Sequence, residues 1–266
     1  MAYFDCCFTS YTLDRDVEIG VVIPSLPLPG NIAGEKRHRV QEPYPILILL
    51  HGGGNNYHTW FHYAPVERYG EERNLAIVSI SGENSEFEDQ DEGLKMGTFL
   101  ETELMDFLTA NFPVSGQAKD HYIAGLSMGG AGARMQVLRH PENYGAFGMF
   151  SSGANRMNMN DDCFDPENVI NKKELIMPEV KARMREIAEQ GIPFPKAYIA
   201  CGQKDCLYPC SMAWAQFLKE MGYEAEFDGP GEYAHEWDFW ELEIRKFMDW
   251  LPRTDGYYRK SPKRLI

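Results

Sequence analysis

The stretch His121-Tyr122-Ile123-Ala124-Gly125-Leu126-Ser127-Met128-Gly129-Gly130-Ala131-Gly132-Ala133 decides how this chain is read. Residues 121–126 form an apolar run of strand length, and over 128–139 the apolar positions recur at helical spacing. At the junction stands Gly-x-Ser-x-Gly. The bare string is a weak signal, because average glycine and serine usage produces it by chance in about one chain in ten of this length. Its setting sharpens it. A tight turn between a strand and a helix lifts the serine oxygen off the sheet edge, and larger flanking residues would collide with neighbouring backbone. The small residues at 129–133 let the helix approach the sheet and aim its N-terminal N–H groups at the hydroxyl. The plainer alternative is a serine that only caps a helix after a glycine turn.

Working outward, strand-like runs occur at 17–23, 46–50, 75–80, 146–150, 197–201 and 224–227. Helical periodicity covers 99–112, 179–190, 211–221 and 236–251. From about residue 45 strand and helix alternate, the pattern of an α/β fold with a mostly parallel sheet covered on both faces. The run at 17–23 predicts an antiparallel lead-in strand. With 266 residues, 44% of them hydrophobic, the chain can bury a core without disulfide support, and residues 1–266 are expected to form a single domain.

A serine hydroxyl needs a base to remove its proton and a carboxylate to orient that base. Both occur downstream. Asp205 follows the strand KAYIACG, and His235 follows EAEF in the stretch GPGEYAHEWDFW. The order Ser127, Asp205, His235 is the one an α/β-hydrolase sheet uses. Asp228 and Asp238 are lower-ranked alternatives for the acid. The tetrahedral intermediate of acyl transfer also needs N–H donors for its oxyanion. Met128, the residue after the nucleophile, supplies one, and the loop His51-Gly52-Gly53-Gly54-Asn55-Asn56 after the strand PILILL can supply the other. That loop is no phosphate cradle, since no Gly-Lys-Ser/Thr follows it.

Against 26 Lys and Arg stand 40 Asp and Glu, a net charge of −14 that opposes binding to nucleic acid or to anionic membranes. The longest apolar run has five residues, at 46–50, where roughly twenty are needed to span a bilayer. The first residues carry no basic region ahead of an apolar core, so a cytoplasmic location is expected. Cys201, Cys206 and Cys210 lack the paired spacing of a zinc site, and His51, His58 and His62 lack a completing ligand, so no metal is expected.

Two stretches look irregular. Residues 81–97 carry Glu83, Glu86, Glu88, Asp89, Asp91 and Glu92, which reads as a solvated loop or, alternatively, as a rim repelling anionic substrates. Residues 153–195 are long for a crossover and read either as including a lid or pocket wall, where Met157, Met159 and Phe164 could line a modest pocket, or as a decorated surface loop plus one helix. The basic tail 257–266 reads as a frayed terminus. Gly52, Asn56, Trp60 and Trp237 are candidate substrate contacts, the tryptophans either as platforms for a sugar or aromatic acid or as plain core.

Taken together, LILLHGGGNNYHTW, ELMDFLTANFPVS leading into YIAGLSMGG, CGQKDCLY and AHEWDFWELEI resemble the esterase D-type α/β-hydrolases. That group includes tributyrin esterases, S-formylglutathione hydrolase, and feruloyl and acetylxylan carbohydrate esterases; the likeness is greatest to bacterial tributyrin-esterase-like proteins. The resemblance covers about residues 15–252. It implies ester hydrolysis without a cofactor, with Ser127 as nucleophile, Asp205 and His235 as partners, and Gly53 and Met128 as oxyanion donors. Relatives often carry a larger residue at the position of Gly53 and a glycine at that of Asn55, which leaves the choice between Gly52 and Gly53 open. The expected substrate is a small ester of a short acyl chain, with a sugar ester, a hydroxycinnamoyl ester and S-formylglutathione as alternatives. A homo-oligomer is compatible with the sequence, as is, remotely, a non-catalytic binding protein on the same scaffold.

Overall fold

The computed structural model describes residues 1–25, 42–153 and 176–258. Eight strands form one sheet in the order β1-β2-β4-β3-β5-β6-β7-β8. In chain order these are β1 (Ala2–Ser10), β2 (Arg15–Ile23), β3 (Ile46–Leu50), β4 (Ala76–Ile80), β5 (His121–Leu126), β6 (Ala146–Phe150), β7 (Lys196–Ala200) and β8 (Ala225–Asp228). β1 pairs antiparallel with β2, and β2 antiparallel with β4; every other pairing is parallel. The expected antiparallel lead-in is thus β2, and sequence reading missed β1 outside it. β5, which ends at Ser127, lies centrally between β3 and β6.

The helices are α1 (Thr59–Tyr63), α2 (Val66–Arg73), α3 (Met96–Thr98), α4 (Leu104–Asn111), α5 (Met128–Arg139), α6 (Pro178–Glu189), α7 (Tyr208–Glu220) and α8 (Trp237–Trp250). Where periodicity predicts one helix at 99–112, a π-helical turn (Phe99–Glu103) joins α3 to α4. The extra residue of that turn brings Glu103 inward, where its carboxylate accepts from Ser10 Oγ and from the Tyr11 and Thr12 N–H groups at 2.7–2.9 Å. These bonds hold the Glu103 carboxyl below its usual value, outweighing the opposing effect of burial.

Alternation along each strand divides the core. In β3, Ile46, Ile48 and Leu50 face one layer with Leu104, Val137, Met184 and Leu218, while Leu47 and Leu49 face another with Trp60, Tyr69, Phe239 and Phe247. α4, α5, α6 and α7 therefore cover one face, and α1, α2 and α8 the other. Among the described residues no helix is long and apolar enough to cross a membrane. The expected lid or pocket wall falls largely on 154–175, including Met157, Met159 and Phe164, and most of the basic tail on 259–266; both lie outside the described residues.

Candidate active site

The turn after β5 is as tight as the motif requires. A Cβ on Gly125 would come within 2.3 Å of the Gly129 backbone, and one on Gly129 within 2.3 Å of Leu50 O. Both positions therefore exclude any larger residue. Between them Ser127 takes φ 52° and ψ −117°, a strained conformation for a side-chain-bearing residue. Its N–H donates to Phe150 O at 2.8 Å, and α5 starts at Met128, so the Met128 N–H has no intrahelical acceptor.

Asp205, in the loop between β7 and α7, is fully buried at its side chain, while His235, ahead of α8, is 23% exposed. His235 Nδ1 lies 2.9 Å from Asp205 Oδ2, and the other carboxylate oxygen accepts the Leu207 N–H at 2.9 Å. Burial alone would raise the Asp205 carboxyl. Its bonds to His235, the Leu207 N–H and the Ser151 hydroxyl win and hold it below the usual range. An ionised Asp205 fixes the ring with the Nδ1 proton inward, which leaves Nε2 as the basic nitrogen.

Sequence reading missed Ser151, which knits the group together. It follows Phe150, the acceptor for Ser127, adopts φ 48°, and accepts the Trp240 indole N–H at 3.0 Å. The Trp240 ring meets the His235 ring edge-on, with centroids 4.9 Å apart. Asp205 and His235 are thus in direct contact, and Ser151, bonded to Asp205, directly follows the residue whose carbonyl accepts the Ser127 N–H. Among the described residues the Ser127 hydroxyl itself makes no hydrogen bond. In resting sites the nucleophile–base contact is often long and tightens when substrate binds.

The alternative acids are engaged elsewhere. The Asp228 carboxylate accepts from Lys246 Nζ at 2.7 Å, and Asp238 is exposed in the first turn of α8. Lys246 also bonds the buried Glu243, which in turn accepts from Tyr198, so Asp228 belongs to a network behind the site.

The glycine loop meets the turn from the β3 side. Gly52 is buried, with the position of its missing Cβ 3.6 Å from Ser127 Cβ. The Asn55 N–H closes a turn onto Gly52 O at 3.3 Å, and Gly54 within it adopts φ 74°. Gly53 is exposed, and among the described residues its N–H has no acceptor. His51 is fully buried: its Nδ1 lies 2.7 Å from Gly52 O, and its Nε2 accepts the Gly82 N–H at 2.8 Å. Burial pushes its pKa down, so the ring is neutral and serves as a spacer.

The structure places the remaining candidates as follows. Trp60 is fully buried with its indole N–H on Leu50 O at 3.0 Å, so it is core and offers no face to a substrate. The Asn56 carboxamide oxygen accepts the His58 N–H at 3.0 Å, and Thr59 Oγ1 accepts the Asn56 N–H at 3.1 Å, which gives Asn56 the task of starting α1. The acidic stretch is not simply a solvated loop: Ser85 and Phe87 are buried, and Asp89 accepts from both the N–H and the hydroxyl of Thr98. Trp237 is half-buried, stacked on the exposed Tyr63 with centroids 4.9 Å apart.

The chain is similar to known esterases in sequence and to solved hydrolases in fold. The family model described as "Putative esterase" matches residues 25–220. An acetyl esterase of Caldicellulosiruptor saccharolyticus is 28% identical over 78% of this chain and 83% of its own length. An endo-1,4-beta-xylanase/feruloyl esterase of Xylanibacter ruminicola is 30% identical over 79% of this chain, which spans only 27% of that longer protein. Among solved structures, the fluorophosphonate-binding serine hydrolase FphF of Staphylococcus aureus superposes with a TM-score of 0.79 at 24% identity, covering 95% of this chain and 99% of its own. The S-formylglutathione hydrolase FrmB of the same organism gives 0.72 at 22% identity, covering 94% and 98%. With the family match spanning most of its length, the chain belongs to this esterase family, carries the α/β-hydrolase fold and is a carboxylic ester hydrolase.

Proposed function

We propose that the chain is a serine esterase for small esters of acetyl or another short acyl group, with Ser127 as nucleophile, His235 as general base and acid, and Asp205 as the group that orients it. The observation that carries this reading is the buried Asp205 bonded to His235, joined through Ser151 to the strand end that accepts the N–H of the strained Ser127. Ser127 Oγ attacks the ester carbonyl carbon while its proton passes to His235 Nε2. The oxyanion then forms between the N–H groups of Met128 and Gly53, and each such donor is worth about 3 kcal/mol of barrier. His235 returns the proton to the departing alkoxide, and the alcohol leaves an acyl-Ser127. Water, deprotonated by the same ring, attacks the acyl carbon, and the acid departs as Ser127 regains its proton.

The acetyl preference is supported by the acetyl esterase relative. A feruloyl or acetyl-sugar ester is the second reading. It is supported by the xylanase/feruloyl esterase relative and by the stacked, partly exposed Tyr63 and Trp237, which offer a flat apolar surface one aromatic contact beyond Trp240. S-Formylglutathione fits less well, because the anionic glutathione part would meet Glu83 and its acidic neighbours.

Intact-mass analysis after a fluorophosphonate probe tests the nucleophile: one adduct is expected, absent in Ser127→Ala. Persistence of the adduct in that variant would reject the assignment. Side-by-side assay of p-nitrophenyl acetate, tributyrin, methyl ferulate, an acetylated xylo-oligosaccharide and S-formylglutathione ranks the substrates, with the acetyl esters expected first.

A further inference from the structure

We propose that Asn84 is a positioning residue for the oxyanion loop, and that the strained turn at residues 83–87 exists to hold it in place. The inference rests on the assignment of Gly53 as an oxyanion donor.

A run of three glycines has more backbone freedom than any other tripeptide, and a donor must be placed to within a fraction of an ångström to serve a transition state. Something outside the run must therefore remove that freedom. Two bonds do so, one on each side of Gly53. His51 Nδ1 holds Gly52 O at 2.7 Å, and Asn84 Oδ1 accepts the Gly54 N–H at 2.6 Å. With the carbonyl before Gly53 and the N–H after it both fixed, the peptide N–H between them has little room to turn.

Both bonds lead back to one turn. Gly82 donates to His51 Nε2, and the next residues contain four side-chain-bearing positions in left-handed backbone: Glu83 (φ 50°), Asn84 (56°), Glu86 (58°) and Phe87 (58°). Each is unfavourable for an L side chain, least so for Asn84, whose short carboxamide tolerates that region. No local preference pays for such a run, so tertiary contacts must hold it. Ser85 bonds Gly82 O through both its N–H and its hydroxyl, and its oxygen accepts the Phe87 N–H at 3.2 Å. The Phe87 ring is fully buried against Gly82, the Gly132 surface of α5 and the His51 ring. The turn is thereby clamped to the helix that follows Ser127 and to the loop that faces it.

The test compares Asn84→Gly with Asn84→Asp. Glycine keeps the left-handed backbone and removes only the acceptor; aspartate keeps an acceptor and tolerates the backbone. With p-nitrophenyl acetate, kcat of Asn84→Gly is expected to fall about tenfold with KM within about twofold of wild type, because the loop contacts the transition state more than the bound ester. Asn84→Asp falls between the two, and all three proteins melt together. By NMR, the Gly54 amide of Asn84→Gly exchanges faster than that of the wild type. A kcat within about twofold of wild type in Asn84→Gly, or a loss confined to KM, would overturn the assignment. If the wild type itself neither turns over nor labels at Ser127, the serine-esterase reading fails instead, and Gly54 amide exchange still decides whether Asn84 holds the loop.

Discussion

The turn that carries Ser127 and the turn at residues 83–87 both hold side-chain-bearing residues at positive φ, and they differ in what holds them. Around Ser127 the strain sits on one residue, and the glycines on either side that let strand and helix close together are local in sequence. In residues 83–87 four such positions crowd together, supported by the packing of the Phe87 ring on His51 and α5, which come from distant segments. The first turn announces itself in a five-letter motif. The second has the composition of a solvent-exposed loop, although Ser85 and Phe87 are buried and Glu86 and Glu88 are half-buried near Arg134. Strain written into local sequence can be read there, and strain supported by tertiary packing cannot.

The comparison can be broken most decisively at the residues proposed to do chemistry. Asp205→Asn should lower kcat by about four orders of magnitude, because the amide loses the charge that stabilises the imidazolium and favours the wrong ring tautomer, while the fold persists. Retention of more than about a tenth of wild-type kcat would remove Asp205 from the site. Next in size is the packing beneath the second turn. Phe87→Ala should destabilise the protein by about 3–5 kcal/mol in urea unfolding, since it empties a fully buried position. A loss under about 1 kcal/mol would mean that local bonds alone hold that turn.

The smallest effects are those of pH, and the two regions should respond in different windows. The folded pKa of His51 is depressed, so the unfolded chain takes up that proton first. Stability from this group is present above the ordinary imidazole range and is lost as pH falls through the depressed native value. Asp205 is likewise depressed, but from the carboxylate range, so its share is lost only at lower pH. Urea midpoints measured from pH 8 down to pH 3 should therefore show an upper decline absent in His51→Gln and a lower one reduced in Asp205→Asn. Equal slopes in His51→Gln and wild type near the imidazole range would separate His51 from the acid response.

Much of this architecture was legible in the chain. β3, β5, β6 and α5 have the boundaries that hydrophobic patterning predicts, because buried central strands are unbroken apolar runs and a helix needs little beyond its period. β1 escaped notice because its residues Ala2-Tyr3-Phe4-Asp5-Cys6-Cys7 alternate poorly, and an edge strand takes its form from its neighbour. α1 has five residues, too few for a period, and α2 buries Glu71 and Arg73 where a helix pattern expects apolar side chains. Within the site, the pairing of Asp205 with His235 was readable from their places after strands. Ser151 and Asn84 were not, since their work depends on partners 54 and 30 residues away that only the folded sheet brings near.

The wider turn at Phe99–Glu103 bears on how this chain tolerates change in length. Glu103 reaches the β1–β2 hairpin only because one surplus residue rotates the helix beyond it. Removing any single residue from that segment would restore a regular helix, swing the carboxylate away by about 100°, and leave the Tyr11 and Thr12 amides without their acceptor. What this segment fixes physically is its count of residues, so exposed positions within it can vary while a one-codon deletion would strip the turn between β1 and β2 of its carboxylate acceptor, leaving that hairpin held by the pairing of β2 with β4.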